Sequence, residues 1–356
     1  MPLPRWPDPL RIILWATAIG AAVGGAYSQT HVIENGAPAF ALYGVPRGVL
    51  TGAVIAGVLS TLESLVLNGQ IGAPLRRAPF PVHVGVKTLI YLAVILFALE
   101  LGGKLFPSPG ERVIEAGDVA FSLAASFVFV FMQDVNSLLG QNVLMNFITG
   151  RYYSPRLEER VFLFLDMEGS TGLAERLGAL AFHRLVNRFV NDLTQPIVAE
   201  GGEIHAYVGD EMIATWRLRE SGVANGRCVV ACFAAIDRLT ASAADYRSEF
   251  GAAIRVRAGL HCGPVVAGEM GSVKKEIVFL GDTVNTAARI QDLCRQTGDR
   301  VLASAELVDR LELPPGVVKR SLGDLRLRGK GADLALYALT KAPQRARQAE
   351  AVAAPS

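Results

Sequence analysis

Asp166 and Asp210 stand where an unaccompanied carboxylate is costly. Asp166 ends the apolar run VFLFLD, which reads as a buried strand, and Asp210 follows Gly209 in a tight turn between EIHAYV and EMIATWR. If the strands carrying them are neighbours, these two acids, 44 residues apart in sequence, converge. They then repel one another unless cations sit between them. Mg²⁺ takes one or two carboxylates and fills its remaining positions with water and phosphate oxygens. Met167, Glu168, Gly169, Ser170 and Thr171 then lead into a helix N-terminus, whose unpaired N–H groups and dipole favour phosphate. The chemistry this spacing suits is metal-assisted handling of a triphosphate lying over the Met167–Thr171 turn. A solvated strand-end acid followed by an ordinary capping turn fits the same residues taken alone.

A second pair lies in DTVNTAARI. Asn285 and Arg289 are four residues apart on one helical face. An amide and a fixed cation are suited to orienting a ribose and neutralising phosphate charge; an exposed helix face is the alternative. Near the C-terminus, RLRGKG offers Arg326, Arg328 and Lys330 as further phosphate contacts. Basic strand ends are common on surfaces, so this segment carries less weight.

The elements that must position these groups follow from periodicity. RVFLFLDM reads as a strand. The segment from Ser170 to Gly202 reads as one helix, with Ser170 or Thr171 as N-cap and Gly201–Gly202 as its stop. EIHAYV and EMIATWR form a hairpin around Gly209-Asp210. GRCVVACFAAIDRLTASAADYRSEF is a second helix, and IRVRAGLHCGPVVAGEMG and KKEIVFLG are strands joined by a Gly-rich turn. DTVNTAARIQDLCRQTG is a third helix closed by Gly298, and VLAS, AELVDRL and RSLGDLRLRGKGADLALYAL complete the domain. The class is α+β, a mixed, mainly antiparallel sheet with helices packed on it, over residues 161–340. The tail 341–356, rich in Ala, Gln, Arg and Pro, is expected to be disordered.

The rest of the chain is of another kind. Lys and Arg total 35 against 33 Asp and Glu, a net charge of +2 that makes no case for a nucleic-acid surface. Mean hydropathy is +0.33, and residues 1–150 hold only 16 of the 68 charged residues. Four apolar runs, Leu10–Tyr27, Gly48–Leu67, Gly85–Phe106 and Val119–Met132 with its flanks, approach the roughly 17–25 residues that a spanning helix needs. A four-helix transmembrane domain is therefore expected over residues 1–135, with a connector at 136–160. Arg5, Arg11, Arg76, Arg77, Lys87, Arg151, Arg156 and Arg160 outnumber Arg47, Lys104 and Arg112 on the opposite side, which puts both termini in the cytoplasm. Glu63, Glu100, Asp118 and Asp134 fall within or at the ends of the spans, either at headgroup level or with a buried partner. Cys228, Cys232, Cys262 and Cys294 form no CxxC pair and read as reduced core thiols of a cytosolic domain rather than a zinc site.

From about Val161 to Leu339 the chain resembles the catalytic domain of the class III nucleotidyl cyclases. The resemblance is carried in order by FLDMEGST, YVGDEMIATW, AGLHCGPVVAGEMG with GDTVNTAAR, and RGKG. It implies conversion of ATP or GTP to a 3′,5′-cyclic nucleotide and pyrophosphate by a homodimer with active sites at the subunit interface. It places two Mg²⁺ or Mn²⁺ ions per site at Asp166 and Asp210. It makes Asn285 and Arg289 a transition-state pair supplied by the other subunit, and puts Arg328 where the family has a phosphate-binding lysine. It also marks two departures. The position of the adenine-reading lysine is Ala206, and its Asp or Thr partner is Val278; base selection would then fall to backbone groups or to neighbours such as His205 or Tyr207. The expectation is an adenylyl cyclase embedded in a bacterial cytoplasmic membrane by several spans. A guanylyl cyclase and a non-catalytic nucleotide-binding membrane receptor are the alternatives.

Overall fold

The computed structural model describes residues 9–35, 38–63, 80–107, 116–117, 119–124, 127–128, 146, 149–218, 226–326 and 333–342. The chain divides into two compact units, one of Pro7–Leu138 and one of Leu139–Ser356 with Met1–Trp6.

The first unit contains α1 (Pro9–Asn35), α2 (Pro38–Thr61) and α3 (Phe80–Leu105). Gly20 and Gly24 of α1 lie against Gly52 and Gly48 of α2 so closely that a methyl group on any of them would strike a facing backbone carbonyl or side chain. Small residues at such a seam let two helix backbones approach. Two stretches among the described residues are long and apolar enough to cross a membrane, Gly44–Thr61 and Gly85–Leu105, with mean hydropathies of 1.3 and 1.8. Of the other two expected spans, Leu10–Tyr27 falls within α1 but is not among these stretches, and Val119–Met132 is described only in part. Helix α2 begins earlier than its apolar run, so Arg47 is a helical residue, and Lys87, within the third run itself, is helical too; neither is a loop cation. Lys87 is buried and lies 2.8 Å from Glu63, which also accepts from the Tyr91 hydroxyl. Glu63 thus has the buried partner its position required, whereas Glu100 pairs with Lys104 in the open.

The second unit is built on one sheet of eight strands: β1 (Arg156–Met167), β2 (Glu203–Val208), β3 (Glu211–Arg217), β4 (Val256–Met270), β5 (Glu276–Leu280), β6 (Val301–Ser304), β7 (Val317–Arg326) and β8 (Asp333–Lys341). Their order is β2-β3-β1-β4-β6-β8-β7, with β5 paired to the far end of β4. The β4–β6 pairing is parallel and the others are antiparallel. The helices are α4 (Ser170–Leu177), α5 (Ala179–Ala199), α6 (Arg227–Ala241), α7 (Ala243–Phe250), α8 (Asp282–Thr297) and the short α9 (Ala305–Asp309).

Alternation along β1 explains why VFLFL is apolar throughout. Val161, Leu163, Leu165 and Met167 join one core with Leu185, Phe189, Leu193 and Ile197, one stripe of α5. Phe162 and Phe164 join a second core on the other face with Ile213, Val265 and Ala287 of α8. Both faces are covered, and each large side chain removed from water contributes about 1.5–3 kcal/mol. Gly259 of β4 has no side chain because the backbone of α8 at Ala287 and Gln291 occupies that space. This close approach fixes where α8 crosses the sheet.

Several local expectations are corrected. The helix expected from Ser170 to Gly202 is two, broken at Gly178, whose φ of 74° is readily adopted only by glycine. The N-cap of α4 is Gly169, in the left-handed region, and neither Ser170 nor Thr171 caps it. The second expected helix breaks at Ser242 into α6 and α7. The first strand begins at Arg156, so Arg156 and Arg160 are strand residues rather than cations flanking a span. Arg160 is fully buried. Its guanidinium bonds Glu158 and Glu203 at 2.9 Å each and the Tyr152 hydroxyl oxygen at 3.1 Å. The four cysteines are free and buried, as expected of core thiols.

Candidate active site

Asp166 is the penultimate residue of β1, opposite Glu211 of β3 and Arg257 of β4. It shares the face of Phe162 and Phe164 and is only 15% exposed. Because Glu211 is its cross-strand neighbour, Asp210 in the β2–β3 turn is one residue away from direct register. The two carboxyl groups come within hydrogen-bonding reach of each other. Burial, and then the Asp210 charge, push the Asp166 carboxyl above the usual range. Oδ2 of Asp210 is buried and has no hydrogen-bond partner among the described residues. A divalent cation fits this pair, since it relieves the repulsion and satisfies the lone oxygen. Among the described residues no group of three His, Cys, Asp or Glu side chains could hold a metal ion, and Mg²⁺ ordinarily takes one or two carboxylates with water and phosphate oxygens in its remaining positions.

Two residues unforeseen in the sequence join Asp166. Gln291 Nε2 donates to its Oδ2 at 3.3 Å, and Arg295 Nη2 lies 3.6 Å from the same oxygen. Both come from α8, one helical turn apart, and from more than 120 residues away in the chain. Glu211 is also held against this acidic group. Burial, Asp166, Asp292 and Asp210 together raise its carboxyl to about 7.

The turn after Asp166 is more specialised than its five residues suggested. The Met167 side chain is fully buried in the core. The Glu168 N–H is already given to the Arg255 carbonyl at 2.9 Å, and its carboxylate pairs with Arg255 at 3.1 Å and Arg257 at 3.7 Å. The amides left for an anion are those of Gly169, Ser170, Thr171 and Gly172, which lack intrahelical acceptors at the start of α4.

Asn285 and Arg289 lie on α8, and among the described residues neither has a side-chain hydrogen bond or ion pair. Each precedes one of the Asp166 contacts by six residues. Six residues move about 9 Å along a helix and turn its face by roughly 120°. While Gln291 and Arg295 point at Asp166, Asn285 and Arg289 therefore face elsewhere, and Asn285 is exposed. The structure brings Asp166 and Asp210 together and does not bring Asn285 or Arg289 to them within one chain.

Ala206 packs with Phe279, Val284 and Ala288 on the second core, and Val278 on β5 pairs with Gly268 of β4. Arg328 and Lys330 lie outside the described residues, and Arg326 is exposed at the end of β7.

Residues 152–341 match the model of the adenylate and guanylate cyclase catalytic domain. The chain is 40% identical to adenylate cyclase 2 of Rhizobium meliloti (strain 1021) over 243 residues, 68% of this chain and 67% of that protein. It is 26% identical to an adenylate cyclase of Anabaena cylindrica over 178 residues, 49% of this chain and 35% of that protein. Among solved structures, a bacterial light-regulated adenylyl cyclase shares the fold, with a TM-score of 0.53 and 22% identity over 65% of this chain and 68% of the other. The chain thus spans about two thirds of the first relative and about a third of the second.

The chain belongs to the class III adenylate and guanylate cyclase family. It is a nucleotidyl cyclase, a phosphorus–oxygen lyase.

Proposed function

We propose that this protein is an adenylyl cyclase, converting ATP to 3′,5′-cyclic AMP and pyrophosphate as a homodimer held in a bacterial cytoplasmic membrane. The observation that carries this reading is the meeting of Asp166 with Asp210, whose buried Oδ2 has no partner among the described residues. Asp166 and Asp210 would hold two Mg²⁺ or Mn²⁺ ions, which would supply a lowered pKa at the ribose 3′-hydroxyl and charge to offset the triphosphate. Asp166 and Asp210 hold that positive charge in place, and Gln291 orients Asp166. The amides at the start of α4 take phosphate oxygens, and Arg328 adds a further phosphate contact. Asn285 orients the ribose, while Arg289 neutralises charge on the reacting phosphoryl group. The ribose 3′-oxygen attacks the α-phosphorus and forms the new P–O bond. The bond from that phosphorus to the bridging oxygen breaks, pyrophosphate leaves, and the hydroxyl proton passes to solvent.

The orientation of α8 supports a homodimer. One chain turns Gln291 and Arg295 to its own acids and leaves Asn285 and Arg289 unpartnered among the described residues, free to serve the acids of a second copy. The names of the two relatives support ATP as substrate. The alternative, GTP, rests on Ala206 and Val278, neither of which has a side chain able to hydrogen-bond a purine. Purified full-length protein incubated with ATP or GTP and Mn²⁺ decides this by chromatography of the products. Cyclic AMP in excess upholds the reading, and cyclic GMP in excess makes the protein a guanylyl cyclase. No cyclic product from either nucleotide leaves a nucleotide-binding membrane receptor.

For the first unit, the two apolar stretches and the buried Glu63–Lys87 pair support membrane embedding. A four-span domain over 1–135 and a connector over 136–160, with the N-terminus and the catalytic domain of 161–340 in the cytoplasm, complete the reading.

A further inference from the structure

Strand β2 carries one residue more than β3 can pair. The register steps from Ile204 opposite Ala214 to Ala206 opposite Ile213, leaving His205 as the extra residue. Such a bulge re-aims a side chain. Ile204 packs on the core beneath α5 and α6, while Ala206 packs on the opposite face against Phe279. His205 goes with Ala206. Its ring meets Phe279 edge to face, with centroids 4.9 Å apart and planes at 62°. Phe279 also packs against Ala206, so the imidazole lies on the face of one position at which a purine-reading side chain is missing.

Tyr207, the other polar neighbour, is turned away. It pairs with Met212 of the helix-side core, and its hydroxyl lies 3.1 Å from Thr194 Oγ1 of α5. Phe279 is held in turn by the buried Arg160, whose guanidinium carbon sits 4.3 Å from the ring centroid. Burial, followed by the Arg160 charge, lowers the pKa of His205 below that of a free imidazole. A neutral imidazole keeps one acceptor nitrogen. Neither ring nitrogen is hydrogen-bonded among the described residues.

Resting on the proposed cyclase reading, we infer that His205 reads the purine in place of Ala206, with its unprotonated ring nitrogen accepting a hydrogen bond from the N6 amino group of adenine. Among the polar side chains flanking Ala206, His205 is the one that the bulge turns to this face and an aromatic shelf holds there. A lysine at the position of Ala206 would offer donors only, whereas the imidazole offers the acceptor that an exocyclic amine requires.

The test compares full-length wild type, His205→Ala and His205→Gln on ATP and on purine riboside 5′-triphosphate, which lacks the N6 amino group. His205→Ala is expected to raise KM for ATP about tenfold, the worth of one hydrogen bond, with little change in kcat. Wild type on purine riboside triphosphate shows a similar loss, to which His205→Ala adds nothing, and His205→Gln recovers part of the ATP preference. Equal cost on both substrates, or no cost on ATP, overturns the assignment while leaving the cyclase reading intact. Absence of product from wild type with either ATP or GTP overturns the cyclase reading and the assignment with it. Should His205→Ala unfold, His205→Lys takes its place and must lose the preference for ATP over purine riboside triphosphate; if it keeps that preference, the assignment fails.

Discussion

Gln291 Nε2 lies 3.3 Å from Oδ2 of Asp166, across 125 residues of sequence. The contact exists because α8 crosses β4 at Gly259, where no side chain intervenes. It holds one proposed metal ligand in place from outside the ligand set. Groups of this kind typically affect metal affinity or activity by about 10–100-fold. Gln291→Ala should therefore shift the Mn²⁺ activation curve to higher concentration by a factor in that range. A curve superimposable on wild type would mean that Gln291 does not position Asp166.

Asp166→Asn and Asp210→Asn should each reduce cyclic nucleotide formation to background while leaving the fold intact. Each substitution removes one of two facing charges. The variants should then unfold, in buffer free of divalent cations, at a temperature no lower than wild type, as read by circular dichroism. Retained turnover in either variant would remove that carboxylate from the mechanism.

The geometry of α8 makes a quantitative claim about subunits. Asp166→Ala and Arg289→Ala should each be inactive alone. Co-expressed in equal amounts, they form mixed dimers as half of the population, and each mixed dimer carries one intact site out of two. Activity should return to about a quarter of wild type. If it stays at zero, Asp166 and Arg289 act within the same chain.

How much of this was legible in the sequence depended on distance along the chain. Asp166 was visible because an acid ending an apolar strand demands compensation. Asp210 was visible because a Gly-Asp turn between two β-prone segments is a local signal. Asn285 and Arg289 were visible as a four-residue spacing. The breaks at Gly178 and Ser242 were hidden, since apolar periodicity runs through both, and helix direction is decided there by packing on the sheet. The capping role of Gly169 was hidden because its left-handed backbone, not a side chain, starts α4. Gln291 and Arg295 were out of reach, as no local pattern names a partner more than a hundred residues away. Arg160 was misread for a related reason. Its basic character and place after the apolar half suggested a membrane flank, and only the fold reveals Glu158, Glu203 and Phe279 around it.

That burial has an energetic consequence. Arg160→Met should destabilise the protein by about 3–5 kcal/mol, because Glu158 and Glu203 lose the cation that compensates them. Replacing all three residues with apolar side chains should recover much of the loss. Denaturant unfolding of the two variants measures the difference, and equal stabilities would show that the network carries no such penalty.

The same network sets a pH dependence. Burial opposes ionisation of Glu158, but the charge and hydrogen bond of Arg160, aided by Arg217 and Arg151, outweigh it and hold the carboxyl below its ordinary value. A depressed carboxyl adds stability that is fully present above its unfolded pKa of about 4.3. That stability is lost as pH falls through the lower folded value. Wild type should therefore lose stability on acidification below about pH 5, and Glu158→Gln should lose less over the same interval. Parallel profiles would show that Glu158 does not titrate with folding.

The four thiols bear on how this molecule can be studied. Burial raises the pKa of Cys228, Cys262 and Cys294 to about 12, and that of Cys232 further still. A maleimide dye reacts with thiolate at the surface, so the native chain should stay dark under labelling. One cysteine introduced at the fully exposed Val273 would then be a unique fluorescent handle, and energy transfer between differently dyed copies could follow subunit exchange without removing any natural cysteine.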